Sequence, residues 1–174
     1  MNLRKETSND YHEVFNVITD AFENEIHSDH REQFLVERLR KSKHFVPELS
    51  IVAEIDNKIV GYILLTKIKI KNTEKEFESL ALAPVAVLQE FQNKGIGSEL
   101  IKHAHAKAKE LGFSSIILLG HPQYYPKFGY KKTSSFGIKL PFDVPEDYCM
   151  ALELTDKALA KVNGMVEYPE EFSL

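Results

Sequence analysis

A chain of 174 residues, 43% of them hydrophobic and 28% charged, suits one globular domain that buries about 70% of its unfolded surface. The formal net charge of −4 argues against a general nucleic-acid binder, and no apolar run approaches the ~18–20 residues of a membrane helix. One cysteine, Cys149, excludes an internal disulfide framework.

Residues 2–7 read as a first strand, and Ser8 or Asn9 is placed to cap a helix starting near Asp10. Val14, Phe15, Val17, Ile18, Ala21 and Phe22 recur at helical spacing and give that helix one apolar face. A polar loop over 23–30 follows, with Asp29 starting a second helix through Phe34, Leu35 and Leu39. Leu49–Ile55 and Ile59–Leu65, the latter extended by Ile68 and Ile70, form a hairpin around Asp56-Asn57-Lys58. After a charged turn at Lys71–Lys75 comes a fourth strand, Phe77–Leu88. Pro84 within it removes a ladder N–H, which implies an edge, a bulge or a splay point.

Ile96, Leu100, Ile101, Ala104, Ala108 and Leu111 form the buried stripe of the next helix, and Gly112 ends it. Ser115–Gly120 is a short continuous apolar strand, so the strand–helix–strand run suggests a parallel pairing. Ile138–Leu140 and Cys149–Leu154 are expected as the last two strands of the main sheet, with Cys149 a small core residue. Residues 155–174 carry a short helix through Ala158, Leu159 and Val162, then a strand at Met165–Tyr168. No linker, repeat or low-complexity tract interrupts the chain, so residues 1–174 are expected to form a single α/β domain. The charged N-terminus (Arg4, Lys5, Glu6, Asp10) lacks a signal-peptide apolar core, and the expected location is cytoplasmic.

The most informative stretch is the end of the fourth strand and the start of the helix after it. Val85-Ala86-Val87 leads into Gln92-Asn93-Lys94-Gly95-Ile96-Gly97-Ser98, and the helix begins at once. The first N–H groups of a helix have no intrahelical partner, and the macrodipole makes that end partly positive. Glycines let the backbone approach an anion with no Cβ in the way, so the segment reads as a phosphate socket. It is neither a P-loop nor a dinucleotide fingerprint, because Gly97 is followed by Ser98-Glu99-Leu100.

The segment resembles Gln/Arg-x-x-Gly-x-Gly/Ala, the acetyl-coenzyme A signature of the GNAT (Gcn5-related) N-acetyltransferases. Leu82-Ala83-Pro84-Val85-Ala86-Val87 looks like that family's splayed fourth strand. Tyr124-Tyr125-Pro126-Lys127-Phe128-Gly129-Tyr130 resembles its Tyr-x-x-x-Gly-Phe/Tyr segment after strand five. Three elements in the family's order identify the chain as similar to these enzymes over roughly residues 3–154, with 155–174 an extension packed on the domain.

The resemblance implies a mixed, mostly antiparallel sheet splayed between strands four and five, with helices on both faces. It implies acetyl-CoA as co-substrate and no metal. Val85, Ala86 and Val87 would meet the pantetheine arm. The backbone of Gln92, Asn93, Lys94, Gly95, Ile96, Gly97 and Ser98 would hold the pyrophosphate, with Lys94 adding charge. Tyr125, four residues before Gly129, would serve the departing thiolate as acid, and Tyr124 would pack or face the acceptor. The implied function is direct acetyl transfer to a primary amine of a small molecule or peptide. The alternative is a non-catalytic acyl-CoA-binding sensor or interaction module on the same fold. Neither nucleic acid nor membrane is an expected partner. The acceptor pocket would draw on the 23–30 loop, the region around the last strands and, in a homodimer, a second copy.

A lysine-like amine with pKa near ~10.4 must lose a proton before it attacks. Glu78, Glu25, His27 and His30 are candidates for the base, which stays unassigned. His103 and His105 lie two apart on a helix, about 200° around it, and cannot share a metal ion. His27, Asp29 and His30 lack a Cys/His partner pair and read as a solvated loop, while His121 is expected at the end of strand five bordering the acceptor.

Overall fold

The structure, a computed structural model, describes residues 1–173. Strands β1 (Asn2–Lys5), β2 (Phe45–Ile55), β3 (Lys58–Lys71) and β4 (Glu76–Val87) form an antiparallel meander. Helices α1 (Tyr11–Phe22) and α2 (Glu32–Leu39) lie between β1 and β2, and α3 (Ile96–Glu110) links β4 to β5 (Ser115–Leu119). The short strands β6 (Lys131–Lys132), β7 (Ile138–Lys139), β8 (Cys149–Glu153) and β9 (Gly164–Glu167) complete one sheet. Its order is β1-β2-β3-β4-β5-β8-β6, with β9 joining the far end of β3 to β7. Among the described residues only β4–β5 and β7–β9 run parallel. The expected mixed, mostly antiparallel α/β sheet is therefore present.

The β2–β3 turn follows from its two residues: Asp56 (φ 49°) and Asn57 (φ 63°) both take positive φ, as a two-residue hairpin loop with the twist of its strands requires. Pro84 sits at a bulge. Between the pairs Ile63–Val85 and Leu65–Leu82, one residue of β3 faces two of β4, so the missing N–H falls where the ladder is already interrupted.

Both faces of the sheet are covered. On one, Ile96, Leu100, Ile101, Ala104 and Ala108 of α3 pack on Leu49, Ile51, Val60, Leu65 and Leu80. On the other, Val14, Val17 and Ile18 of α1 and Val36 and Leu39 of α2 cover Val52, Tyr62 and Leu64. That second face also buries an ionic network. Arg40 donates two hydrogen bonds to Glu6 (2.9 and 3.0 Å), Ser50 donates to the same carboxylate, and Ser50 shares a 2.6 Å bond with Tyr62.

Four sequence expectations are corrected. The first helix is preceded by a 3₁₀ turn (Ser8–Asp10) in which the Asp10 carboxylate accepts from the Thr7 N–H, so Thr7 rather than Ser8 or Asn9 opens it. Asp29 does not start α2; its carboxylate accepts the Arg31 N–H in a tight turn, and the helix begins at Glu32. Ile138–Lys139 pairs with β9, and Lys131–Lys132 takes the place beside β8. Residues 155–161 form turns rather than a helix, because Leu159 is buried in the β7–β9 core and its N–H is held by Glu153 at 2.9 Å. Cys149 is buried, as expected.

Candidate functional site

β3 holds β4 from Glu76 to Val87, whereas β5 meets β4 at only two positions, Leu80 opposite Ile116 and Ala81 opposite Ile117. Beyond them β5 stays with β8 as far as Leu119 opposite Cys149. From Leu82 to Val87, the edge of β4 facing β5 has no strand partner among the described residues. The bulge at Ala83-Pro84 lies where the two strands part, and the extra twist of a bulge turns β4 away. Val85, Ala86 and Val87 lie along this unpaired edge. A backbone edge excluded from a ladder keeps its N–H and C=O groups available to another polar chain.

The chain leaves β4 through a 3₁₀ turn, Gln89–Phe91, fastened to the end of α1. The Gln89 N–H donates to the Asp20 carboxylate (2.8 Å), its side-chain amide donates to the Asp20 carbonyl (2.7 Å), and Asn24 donates to Gln89 Oε1 (3.0 Å). Gln92 then folds back, its Nε2 donating to the Val87 carbonyl at 3.0 Å. The Gln92 side chain thus braces the turn. Asn93 (φ 63°) and Gly95 (φ 83°) bend the chain into α3. The Glu99 N–H donates to the Gly95 carbonyl at 3.1 Å, so the N–H groups of Ile96, Gly97 and Ser98 precede the helical ladder. They open at the positive end of a 15-residue helix. Lys94 lies over the Phe91 ring, 5.3 Å from its centroid.

The two tyrosines after β5 point to different places. The His121 carbonyl accepts the N–H groups of Tyr124 (3.1 Å) and Tyr125 (3.4 Å), starting a 3₁₀ turn, Tyr125–Phe128. Tyr125 is 8% exposed and sets one ring edge against the end of β5: a Cβ added to Gly120 would stand 2.2 Å from its Cε2 and 2.6 Å from its Cδ2. Only glycine permits this approach. Burial, with a smaller contribution from Tyr124, pushes the Tyr125 phenol up to about 12, so it keeps its proton at neutral pH. Tyr124 reaches across to α3 instead, its hydroxyl 3.4 Å from Ser98 Oγ and 3.6 Å from where a Cβ of Gly97 would stand. It therefore lies by the two-glycine turn.

Sequence reasoning had not assigned Gly120, the Gln89–Asp20 brace or this placement of Tyr124. A glycine ending an apolar strand just before an aromatic cluster is the one signal that could have pointed to Gly120. The base candidates separate in space. Glu78 is exposed opposite Lys69, on the side of the β4–β5 contact away from the opening. Glu25 and His27 are exposed, while His30, Asp20 and Glu23 line a concavity of about 480 Å³ between α1 and α2. His121 is exposed beside the Tyr148 ring (centroids 6.3 Å apart). No group of three metal-ligating side chains occurs among the described residues.

Residues 12–130 match the acetyltransferase (GNAT) family. The chain is 32% identical over 119 residues to YjhQ of Escherichia coli K12, described as an uncharacterised N-acetyltransferase; the match spans 68% of this chain and 66% of YjhQ. It is 25% identical over 126 residues to YhbS of the same organism, described likewise, covering 72% and 74%. The crystal structure of YhbS in complex with CoA superposes with a TM-score of 0.89 over 99% of this chain and 92% of that one, at 24% identity. A Brucella melitensis GNAT acetyltransferase, crystallised in complex with acetyl-CoA, gives 0.81 over 98% and 97%, at 30% identity.

Proposed function

The chain belongs to the GNAT acetyltransferase family, and from that premise we propose that it transfers the acetyl group of acetyl-CoA directly to a primary amine of a small molecule or peptide. The observation that carries the proposal is the opening itself: an unpaired strand edge running into a helix N-terminus, with the Tyr124 hydroxyl at its first turn and the Tyr125 ring packed at the end of β5. Relatives of this fold crystallised with CoA or acetyl-CoA support the choice of donor.

In this reading the N–H groups of Gly95 to Ser98, with Asn93 and Lys94, bind the pyrophosphate, and Gln92 keeps their turn closed. The edge at Val85, Ala86 and Val87 pairs with the amides of the pantetheine arm as a neighbouring strand would. Acetyl-CoA supplies an activated thioester carbonyl. Backbone N–H groups at the mouth of β4 polarise its oxygen, and fixed donors of this kind act without reorganising. The acceptor nitrogen forms its bond to the carbonyl carbon, the C–S bond breaks, and the sulfur leaves with the electron pair.

Tyr125 meets that sulfur. A phenol at about 12 against a thiol near ~8.5 makes full proton transfer cost about 5 kcal/mol. Tyr125 therefore stabilises the thiolate chiefly by donating a hydrogen bond, and the ammonium proton of the new amide's precursor leaves to solvent or to a base. Thiol release from acetyl-CoA across a panel of amines, aminated small molecules and peptides tests the activity. Tyr125→Phe should lower turnover about 10²-fold or more with little change in acetyl-CoA affinity. Tyr124→Phe should chiefly weaken cofactor binding. Parental turnover in Tyr125→Phe would remove this residue from the mechanism.

A further inference from the structure

His105 has no part in the reading above, yet it is not a surface histidine. It faces inward from α3, and its Nε2 lies 2.8 Å from the hydroxyl of Tyr130. The imidazole centroid is 5.4 Å from the Tyr130 ring and 6.4 Å from the Phe128 ring. Tyr130 is 2% exposed and meets Tyr125 edge to face, with centroids 5.7 Å apart and planes at 76°. Tyr124 meets the same ring at 5.0 Å and 88°. Tyr125 is thus bounded by the backbone of Gly120 and by the rings of Tyr124, Phe128 and Tyr130.

We propose that His105 and Tyr130 are positioning residues: their hydrogen bond fixes the Tyr130 ring, which holds the Tyr125 ring against Gly120 and so sets the direction of its hydroxyl. The proposal rests on Tyr125 serving the leaving sulfur.

Energetics point to geometry rather than stability as the purpose of the pair. A phenylalanine at position 130 would fill the same space with no hydroxyl to satisfy. Burying a hydroxyl costs free energy, and one neutral hydrogen bond roughly offsets it, so the pair gains little stability over an apolar replacement. What it adds is direction. An apolar ring in this cluster could rotate or slide, whereas a hydroxyl bonded to a side chain on α3 ties the ring to the helix whose first turn forms the proposed cofactor socket. Burial pushes His105 down to about 4 and Tyr130 well above its ordinary value. Both groups are therefore neutral at physiological pH, and a single hydrogen joins them.

The test is a set of double-mutant cycles. Tyr130→Phe, His105→Leu and His105→Gln are each made in the parent protein and in Tyr125→Phe, with melting curves to establish folding. Turnover is followed by thiol release from acetyl-CoA, using the amine turned over fastest in the panel. In the parent, Tyr130→Phe and His105→Leu should each lower kcat about tenfold, with KM for acetyl-CoA unchanged, since small displacements of a reacting group are costly. His105→Gln, which can still bond the hydroxyl, should recover most of the loss. On the Tyr125→Phe background the same changes should have almost no effect, because the group they position is gone.

A full loss that persists on that background shows the pair acting on something else and overturns the proposal. No loss in the parent overturns it too, while leaving the Tyr125 role intact if Tyr125→Phe is slow. Should Tyr125→Phe itself run at the parental rate, the role of Tyr125 at the leaving sulfur fails and the positioning role falls with it.

Discussion

Gly120→Ala adds a single methyl group at the most crowded glycine near the site. Its Cβ would stand 2.2 Å from Tyr125 Cε2, 2.6 Å from Cδ2 and 3.1 Å from Leu118 Cδ1. Ordinary contact begins near 3.4 Å, so the ring edge must retreat by about 1.2 Å. It has little room, because the Tyr124, Phe128 and Tyr130 rings bound it. Overpacking of this kind costs about 1–3 kcal/mol, and a fall in urea midpoint at unchanged slope would measure it. The Tyr125 hydroxyl moves with its ring, and a displacement of about 1 Å can lower turnover about 10²-fold. The Gln92–Ser98 turn is built on β4 and α3 rather than on Gly120, so calorimetry should give the same affinity for CoA in variant and parent. Turnover and stability at parental values would show that the ring does not lie against Gly120. A loss of CoA affinity equal to the loss of turnover would place the damage in the cofactor socket instead.

The glycines of the α3 turn should behave differently from each other. Gly95, at φ 83° with no atom near a future Cβ, should lose about 1 kcal/mol on conversion to alanine from backbone strain alone. Gly97→Val should stay folded, since its Cβ meets Val87 and Tyr124 at 3.6 Å or more, but its branches crowd the proposed pyrophosphate position and should weaken CoA binding more than about tenfold by calorimetry. Arg40→Met leaves the Glu6 carboxylate, 6% exposed, without its ionic partner and should cost about 3–5 kcal/mol in chemical denaturation. The Glu6→Gln/Arg40→Met pair should cost markedly less. His105, held near 4 by burial, is protonated first in the unfolded chain as pH falls. Its contribution to stability is complete above about pH 6.5 and lost progressively toward about pH 4, and His105→Gln should flatten the thermal midpoint over that window. Asp10, lowered to about 2 by its hydrogen bond to Arg4, adds its own loss only below about pH 4.

Local chemistry decided what could be read in advance. The α1 and α3 stripes, the Asp56-Asn57 hairpin, the bulging proline and the two-glycine turn each depend on residues within a few positions of one another, so spacing alone reveals them. The resemblance that names the family lies in the same short segments. Misread elements were those settled by distant partners. Ala158, Leu159 and Val162 have helical spacing, but burial of Leu159 in the β7–β9 core and its N–H bond to Glu153 leave only turns. Ile138–Lys139 looks like a strand and is one, yet its neighbour is β9, because pairing depends on which edge is free after β6 has taken β8.

The opening between β4 and β5 was expected from sequence, but its walls were not. Counting back from Gly129 singles out Tyr125 and says nothing of the environment that raises its phenol to about 12. Neighbouring tyrosines with the same chemistry turn one toward the end of β5 and the other toward Ser98, since a 3₁₀ turn sends successive side chains in different directions. Gly120 and Tyr125 meet within the turn that follows β5, whereas His105 and Tyr130 lie twenty-five residues apart and meet only once α3 has packed beside that turn. The sequence by itself determined which helix start carries two glycines and which phenol lies four residues before Gly129, because those are properties of short segments. Tertiary packing alone decided where that phenol is held and what holds it, because close contact between remote residues depends on the whole chain's path and leaves no periodic trace.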